Sequence, residues 1–192
     1  MSIDVIFLRH GNDDAKGPED EESSLTNEGI CQIERVARNL RETKLSAVYA
    51  SPLLRTIETG EIVCKTLGIK RPIVLDWRLC YRNKNSPLEE FVNGYNNAIA
   101  KISSYKDLRT ERTVRLDWVQ VWPRKAKEIQ DNVLDFMKEI SEIFEPGSII
   151  LAVSHGGIIE VASPFPFEKT PKKGEGLIFH FCEGKIRGVC QL

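Results

Sequence analysis

IDVIFLRHG, at residues 3–11, joins a short apolar run to the sequence Arg-His-Gly. The apolar run is long enough for a buried strand and too short for a helix. Because it leads directly into polar residues, the pattern places Arg9 and His10 at the carboxyl end of that strand. We expect this segment to be a strand and not a signal peptide, since an acidic residue interrupts it and no basic leader precedes it.

Two later stretches repeat the arrangement of a strand followed by polar residues. LSAVYA (45–50) precedes SPLLR (51–55), and SIILAV (148–153) precedes SHGG (154–157). Helical patterns separate these strands, and this alternation is typical of an α/β protein with a sheet rich in parallel strands. Ligands of such sheets bind outside the carboxyl ends of the strands, so we expect the three polar segments to meet in one pocket.

The spacing of apolar residues and the turn residues predict the other elements. Thr26 is expected to cap the first helix, and Ser51 followed by a proline is expected to open the second, which ends near Gly68. The remaining expected elements are a strand at 72–75, a helix at about 88–102, a long helix from Pro123 to Pro146, a short helix from Gly156 and a hairpin at 176–190.

Composition excludes several classes of protein. A chain of 192 residues suggests one domain, over 1–192, and 41% apolar residues argue against disorder and coiled coil. The net charge of −1 means that any anionic ligand must be held by local charges. No apolar run approaches the roughly 18 residues of a membrane span. The sequence shows no basic face with stacking residues, so nucleic-acid binding is not expected.

Five cysteines form no CxxC pair and leave one residue unpaired, which favours a reduced, cytoplasmic protein over a disulfide framework. Two of them flank the turn of the terminal hairpin. A tight turn there would place Cys182 opposite Lys185 and Cys190 opposite Leu177, so these two cysteines are not expected to form a bridge.

The polar residues at the three strand ends indicate a site for a dianionic, tetrahedral group such as phosphate. His10 and His155 supply two imidazoles, and Arg9 and Arg55 supply two guanidinium groups. A neutral imidazole can accept a phosphoryl group while arginines contact its oxygens, where charge is spread. The second imidazole would then serve best when protonated, as a donor. His180, inside the hairpin, is expected to be structural.

Four segments resemble the histidine phosphatase superfamily, in its phosphoglycerate mutase-like branch: FLRHG (7–11), LTNEG (25–29), SPLLRTIET (51–59) and VSHGG (153–157). The resemblance implies an α/β three-layer sandwich, with helices on both faces of a mostly parallel central sheet. It also implies that His10 is transiently phosphorylated, that Arg9, Arg55 and His155 form the phosphate pocket, and that no metal or other cofactor is needed.

Three residues beside the two histidines are candidates for substrate binding: Gly11, Asn12 and Gly156. Gly11 carries no side chain next to the attacking imidazole, which would let a substrate approach.

The chain departs from the family after its third strand. Members usually carry a Leu-x-Glu-Arg segment whose Glu protonates the leaving oxygen, and Tyr81 stands at that position here. A phenol is a poorly matched acid near neutral pH. The proton donor therefore stays open between five residues: Tyr81, Glu89, Glu90, Asp13 and Asp14. The mutase branch also usually carries an Asn near the position of Lys16, so a phosphatase is favoured over a mutase.

The variable segment at about 76–121 is expected to cover the pocket and to set selectivity. Its Arg109, Arg112 and Arg115, with Trp118 and Trp122, could grip a substrate or could be solvated charges and core aromatics. A second basic run, Lys169, Lys172 and Lys173, is expected to be a solvated loop.

The sequence thus predicts a phosphatase that acts on a small phosphomonoester or a phosphorylated protein side chain through phosphohistidine at His10. A non-catalytic or very weak phosphate-binding protein is the first alternative. A metal-dependent hydrolase that uses His10, His155 and Asp13 or Asp14 is the second. The oligomeric state is not predicted.

Overall fold

A computed structural model describes residues 2–16, 20–82, 88–105, 119–165 and 171–192. Six strands form one sheet in the order β3-β2-β4-β1-β5-β6. They are β1 (Ser2–Arg9), β2 (Leu45–Ala50), β3 (Val74–Leu75), β4 (Ile149–Ser154), β5 (Gly176–Cys182) and β6 (Lys185–Gln191). The first four strands run parallel, and β5 and β6 are antiparallel, which confirms a mostly parallel α/β sheet.

The helices are α1 (Asn27–Asn39), α2 (Leu54–Leu67), α3 (Leu88–Tyr105), α4 (Pro123–Ile143) and α5 (Gly156–Ala162), with a 3₁₀ turn at Trp77–Leu79. Thr26 caps α1 as predicted, because its Oγ1 accepts from the Gly29 N–H at 3.1 Å. Gly68 ends α2 with a φ of 68°. No helix among the described residues is long and apolar enough to cross a membrane.

Alternate residues of β1 point to opposite faces of the sheet, and each face has its own core. Val5 and Phe7 belong to the larger cluster, which also contains Phe136 of α4 and the buried apolar side chains of α5. Leu8 belongs to the second cluster with Ile33 of α1 and residues of α2. Helices therefore cover both faces, which makes the three layers.

Two local predictions about the helix and strand boundaries are wrong. Ser51 does not cap α2, which begins at Leu54 after an N-cap residue without a side-chain bond. The strand predicted at 72–75 is only two residues long.

The terminal hairpin forms where it was predicted, but its register differs. Cys182 pairs with Lys185 as expected. A bulge between His180 and Phe181 then shifts the ladder, so that Cys190 lies opposite Ile178 and not opposite Leu177.

The variable segment contains the 3₁₀ turn and α3, whose Phe91 stacks on Trp122 with 6.2 Å between ring centroids. Trp122 also packs against Gly94, where a Cβ would come within 2.4 Å of the indole. Trp122 is thus a partly buried aromatic that packs against the core, and a contact between it and substrate stays a prediction. Arg109, Arg112, Arg115, Trp118 and Lys169 lie outside the described residues.

Candidate active site

The carboxyl ends of β2, β4 and β1 lie side by side at one edge of the sheet. Arg9 pairs with Ser154, and the next residue, His10, donates its N–H to the Ser154 carbonyl at 3.1 Å. Ser51 donates its N–H to the Val153 carbonyl at 3.0 Å. The backbone after each strand is thus tied to its neighbour, and the structure brings the three predicted polar segments together.

The two imidazoles face each other across this edge. The ring centroids of His10 and His155 are 5.2 Å apart, and both residues are buried, at 6% and 2% exposed. Arg55, in the first turn of α2, is also buried. Several groups that can carry positive charge are buried together here, and such an arrangement is suited to a bound anion.

The hydrogen on the His10 ring is assigned by its neighbours. Nδ1 lies 2.9 Å from the Gly11 carbonyl oxygen and 3.0 Å from Oδ2 of Asp13. Both oxygens are acceptors, so Nδ1 carries the hydrogen and Nε2 keeps its lone pair. Burial lowers the pKa of His10, although Asp13 acts in the opposite direction. The ring is therefore neutral near pH 7, as a nucleophile must be.

The hydrogen on the His155 ring is fixed by a chain of hydroxyl groups. Oγ of Ser51 lies 2.9 Å from His155 Nε2 and 2.8 Å from Oγ1 of Thr56. The single Thr56 hydroxyl hydrogen is directed to the carbonyl of Ser51 or Leu53, at 2.7 and 2.6 Å. Thr56 thus accepts from Ser51, and Ser51 accepts from Nε2–H of His155. The neutral ring then carries its lone pair on Nδ1.

Burial lowers the pKa of His155 well below its usual value, and His10, Arg55 and Arg9 lower it further. His155 is therefore neutral in the protein alone, whereas the sequence argument used it as a protonated donor. An anion among these groups would supply the opposite charge and raise the pKa of His155. Protonation of His155 is thus coupled to anion binding.

Arg9 has a donor without a partner. Its Nη1 donates to the Pro171 carbonyl at 3.0 Å, but its buried Nε makes no hydrogen bond with the described residues. Buried donors are nearly always satisfied, so this atom is available to an acceptor that a bound anion would supply. The guanidinium lies against Gly156, where a Cβ would be 2.8 Å from Nη1.

Arg55 is held along one edge of its guanidinium. Nη1 donates to the Asp20 carbonyl at 2.6 Å and to Oγ of Ser23 at 3.0 Å. These contacts orient the planar group and leave Nε and Nη2 without a bond to the described residues. Glu58, one helical turn after Arg55, accepts the Leu25 N–H at 2.7 Å.

Gly11 and Asn12 contact α1 and the loop before β5. A Cβ on Gly11 would be 2.8 Å from the Gly29 carbonyl oxygen, so the close approach of α1 accounts for a glycine there. Nδ2 of Asn12 donates to Glu28 at 3.0 Å, and Oδ1 accepts from Lys173 at 3.4 Å. Their contacts with a substrate stay predictions.

Tyr81 occupies the edge of the site next to His155, with 5.4 Å between the ring centroids. Its Oη accepts the N–H of Gly157 at 2.9 Å. Burial raises the pKa of Tyr81, and nearby Tyr95 and Glu160 raise it further. A phenol that holds its proton this strongly is a weak general acid.

The other candidate proton donors differ in position. Burial alone would raise the pKa of Asp13, but the adjacent His10 and Lys173 nitrogens hold that pKa far below its usual value, so the carboxyl is ionised. Asp14 is exposed. Glu89 and Glu90 lie in α3, with side chains outside the described part.

Sequence reasoning missed the role of Lys173. Its Nζ lies 2.8 Å from Oδ2 of Asp13, so the prediction of a solvated loop is wrong for this residue. The available signal was the position of Asp13 three residues after His10, which suggested a proton donor or metal ligand but not a partner for the imidazole. In the described ranges, no three His, Cys, Asp or Glu side chains could hold a metal ion.

Comparisons with known proteins give one matching family and a shared fold. The sequence model of the histidine phosphatase superfamily (branch 1) matches residues 5–172. A search of curated proteins gave no match.

Solved structures share the fold at low sequence identity. A phosphoglycerate mutase from Bacillus anthracis has a TM-score of 0.68 and 16% identity, covering 100% of this chain and 92% of that one. YhfR from Bacillus stearothermophilus has a TM-score of 0.66 and 20% identity, covering 96% and 94%. A mycobacterial glucosyl-3-phosphoglycerate phosphatase, in a complex with VO3, has a TM-score of 0.60 and 17% identity, covering 92% of each.

Proposed function

Because this chain belongs to the histidine phosphatase superfamily, we propose that it is a metal-independent phosphatase that hydrolyses a phosphomonoester through a phosphohistidine at His10. The substrate is a small phosphorylated molecule or a phosphorylated protein side chain. The 5.2 Å approach of the His10 and His155 rings, beside the buried Arg55 and the partly buried Arg9, carries the proposal.

In the first step, the lone pair of His10 Nε2 attacks phosphorus. The Nε2–P bond forms, the ester P–O bond breaks, and the leaving oxygen takes up a proton. Arg9 donates from its unpartnered Nε, and Arg55 from its remaining nitrogens, to the phosphoryl oxygens. His155, once protonated, donates from Nδ1.

In the second step, water attacks phosphorus, the Nε2–P bond breaks, and its electron pair returns to Nε2. The proton that water gives up balances the one taken up by the leaving oxygen. The products are an alcohol and inorganic phosphate. Release of phosphate to water, rather than transfer to a second hydroxyl group, distinguishes a phosphatase from a mutase.

The alternative of a weak or non-catalytic phosphate-binding protein is favoured by one observation, the buried phenol of Tyr81 at the position of the usual acid. The same pocket would bind an anion in both cases. The difference lies in turnover of esters whose leaving groups need a proton.

The test uses purified protein and an aryl phosphate, whose leaving group needs little protonation. We expect phosphate release that His10→Ala abolishes and that a chelator leaves unchanged, together with phosphate on His10 in rapidly quenched, base-stabilised samples. Turnover undiminished in His10→Ala would exclude the proposed mechanism. Binding of vanadate without hydrolysis would favour the phosphate-binding alternative, and loss of activity with the chelator would favour a metal-dependent hydrolase.

A further inference from the structure

A buried carboxylate lies between the imidazole of His10 and an ammonium group. Oδ2 of Asp13 is 3.0 Å from His10 Nδ1 and 2.8 Å from Nζ of Lys173. The Asp13 side chain is only 3% exposed, and Oδ1 accepts the Ala15 N–H at 3.0 Å. The backbone therefore holds the carboxylate in place independently of Lys173.

The position of Asp13 separates it from the reacting nitrogen. It contacts Nδ1, whereas phosphate would be carried on Nε2, at the other edge of the ring. Oδ2 lies between a nitrogen of the neutral imidazole and the Lys173 ammonium group, so its attraction to the ring increases when the ring gains a positive charge. Such a carboxylate cannot donate a proton to a leaving group, but it stabilises positive charge on the ring.

We propose that Asp13 is a positioning residue for His10, which orients the imidazole and stabilises the positive ring that forms when Nε2 bonds to phosphorus, and that Lys173 moderates this effect. The inference rests on the proposed function. A neutral imidazole gains a positive charge on attack and loses it when water releases phosphate. Asp13 lowers the energy of the charged state, and the Lys173 ammonium offsets part of the carboxylate's charge.

Other groups around His10 also affect the charge and the tautomer of its ring. Arg55 disfavours a charged His10 ring, and the nearby His155 ring is neutral in the protein alone. The Gly11 carbonyl accepts from Nδ1 as well, so it preserves the tautomer when Asp13 is changed. The expected effect of losing Asp13 is therefore electrostatic rather than tautomeric.

The test measures the His10 pKa by NMR titration of ¹³C-labelled histidine. Asp13→Asn should lower the pKa of His10, because the negative charge is lost. Lys173→Met should raise it, because the carboxylate then acts unopposed. Asp135→Asn is the matched control: the Asp135 side chain on α4 is exposed, and its replacement should leave the titration unchanged. If Asp13 and Lys173 only supported the local structure, Asp13→Asn and Lys173→Met would shift the His10 pKa in the same direction.

Steady-state kinetics on an aryl phosphate give the second readout. Asp13→Asn should lower kcat by about 10- to 100-fold, less than the roughly 10⁴-fold loss for the Asp of a serine protease triad, because the Gly11 carbonyl remains. KM should change by no more than about twofold, since Asp13 does not contact the phosphoryl oxygens.

The outcomes separate the inference from the proposed function. An unchanged His10 pKa in Asp13→Asn, or shifts of the same sign in Asp13→Asn and Lys173→Met, would overturn the inference even where His10-dependent turnover is present. If the two variants shift the His10 pKa in opposite directions but the protein shows no turnover, the result would support the pairing of His10 with Asp13 and overturn the proposed phosphatase function.

Discussion

Oγ of Ser51 lies 2.9 Å from Nε2 of His155, a residue 104 positions further along the chain. Both residues are buried, and each follows a parallel strand of the sheet. The contact explains why Ser51 does not cap α2: its hydroxyl hydrogen goes to Thr56, and its lone pair accepts from the imidazole. Ser51 thus sets which nitrogen of His155 can receive a proton when an anion binds.

Ser51→Ala removes that acceptor and leaves a buried N–H without a partner, at a cost of about 1–3 kcal/mol. We expect kcat/KM on an aryl phosphate to fall about tenfold, because the His155 ring can rotate and its tautomer is no longer fixed. Ser163→Ala is the control, since Ser163 is equally buried but bonds to the Phe165 carbonyl beyond α5. Equal kcat/KM losses in the two variants would contradict a specific role for Ser51.

Anion binding should take up a proton at His155. The pKa of His155 is low in the protein alone and rises when an anion is bound. The affinity for the anion is therefore greatest below the pKa of the free protein, and it falls as the pH rises from that value to the pKa of the complex. Sulfate is a suitable probe because its own charge is constant over this range. Calorimetry in two buffers of different ionisation heat should detect proton uptake near neutral pH.

His155→Gln should abolish that proton uptake, and His10→Gln should retain it. The prediction fails if sulfate binds with the same affinity across this pH range, or if proton uptake persists in His155→Gln.

Gly156 is needed for the position of the Arg9 guanidinium. Gly156→Ala would place a Cβ 2.8 Å from Arg9 Nη1, so the guanidinium must move away from its present plane. Losing one charge-assisted hydrogen bond to phosphate costs about 1.5–3 kcal/mol, and we expect KM to rise about 10- to 100-fold. Gly188→Ala is the control, because the added methyl group meets only an ordinary contact of 3.4 Å with His180. An unchanged KM in Gly156→Ala would show that Arg9 does not contact the substrate.

Sequence patterns were sufficient for features that depend on local chemistry. Thr26 and Gly68 mark helix ends because a capping hydroxyl and a left-handed backbone are local requirements. The convergence of His10 and His155 was predictable because parallel neighbouring strands end at the same edge of a sheet.

The errors arise where a distant partner competes with a local preference. Ser51 is a good capping residue, but its hydroxyl bonds across the sheet to His155. Lys173 belongs to a basic run that resembles a solvated loop, yet it pairs with Asp13, which lies 160 residues earlier in the chain. A single bulge after His180 moved Cys190 by one pairing position. None of these contacts leaves a periodic signal in the sequence.

The phenol of Tyr81 should not act as the general acid. We therefore expect turnover to depend steeply on the leaving group, with aryl phosphates cleaved far faster than alkyl phosphates. Tyr81→Phe should change both rates by no more than a few-fold, because the hydroxyl group that it removes accepts the Gly157 N–H and does not protonate the leaving oxygen. Glu89→Gln, Glu90→Gln and Asp14→Asn test the remaining carboxyl candidates, with Glu142→Gln on α4 as the exposed control. A loss of about 100-fold or more in Tyr81→Phe, confined to alkyl phosphates, would identify Tyr81 as the proton donor instead.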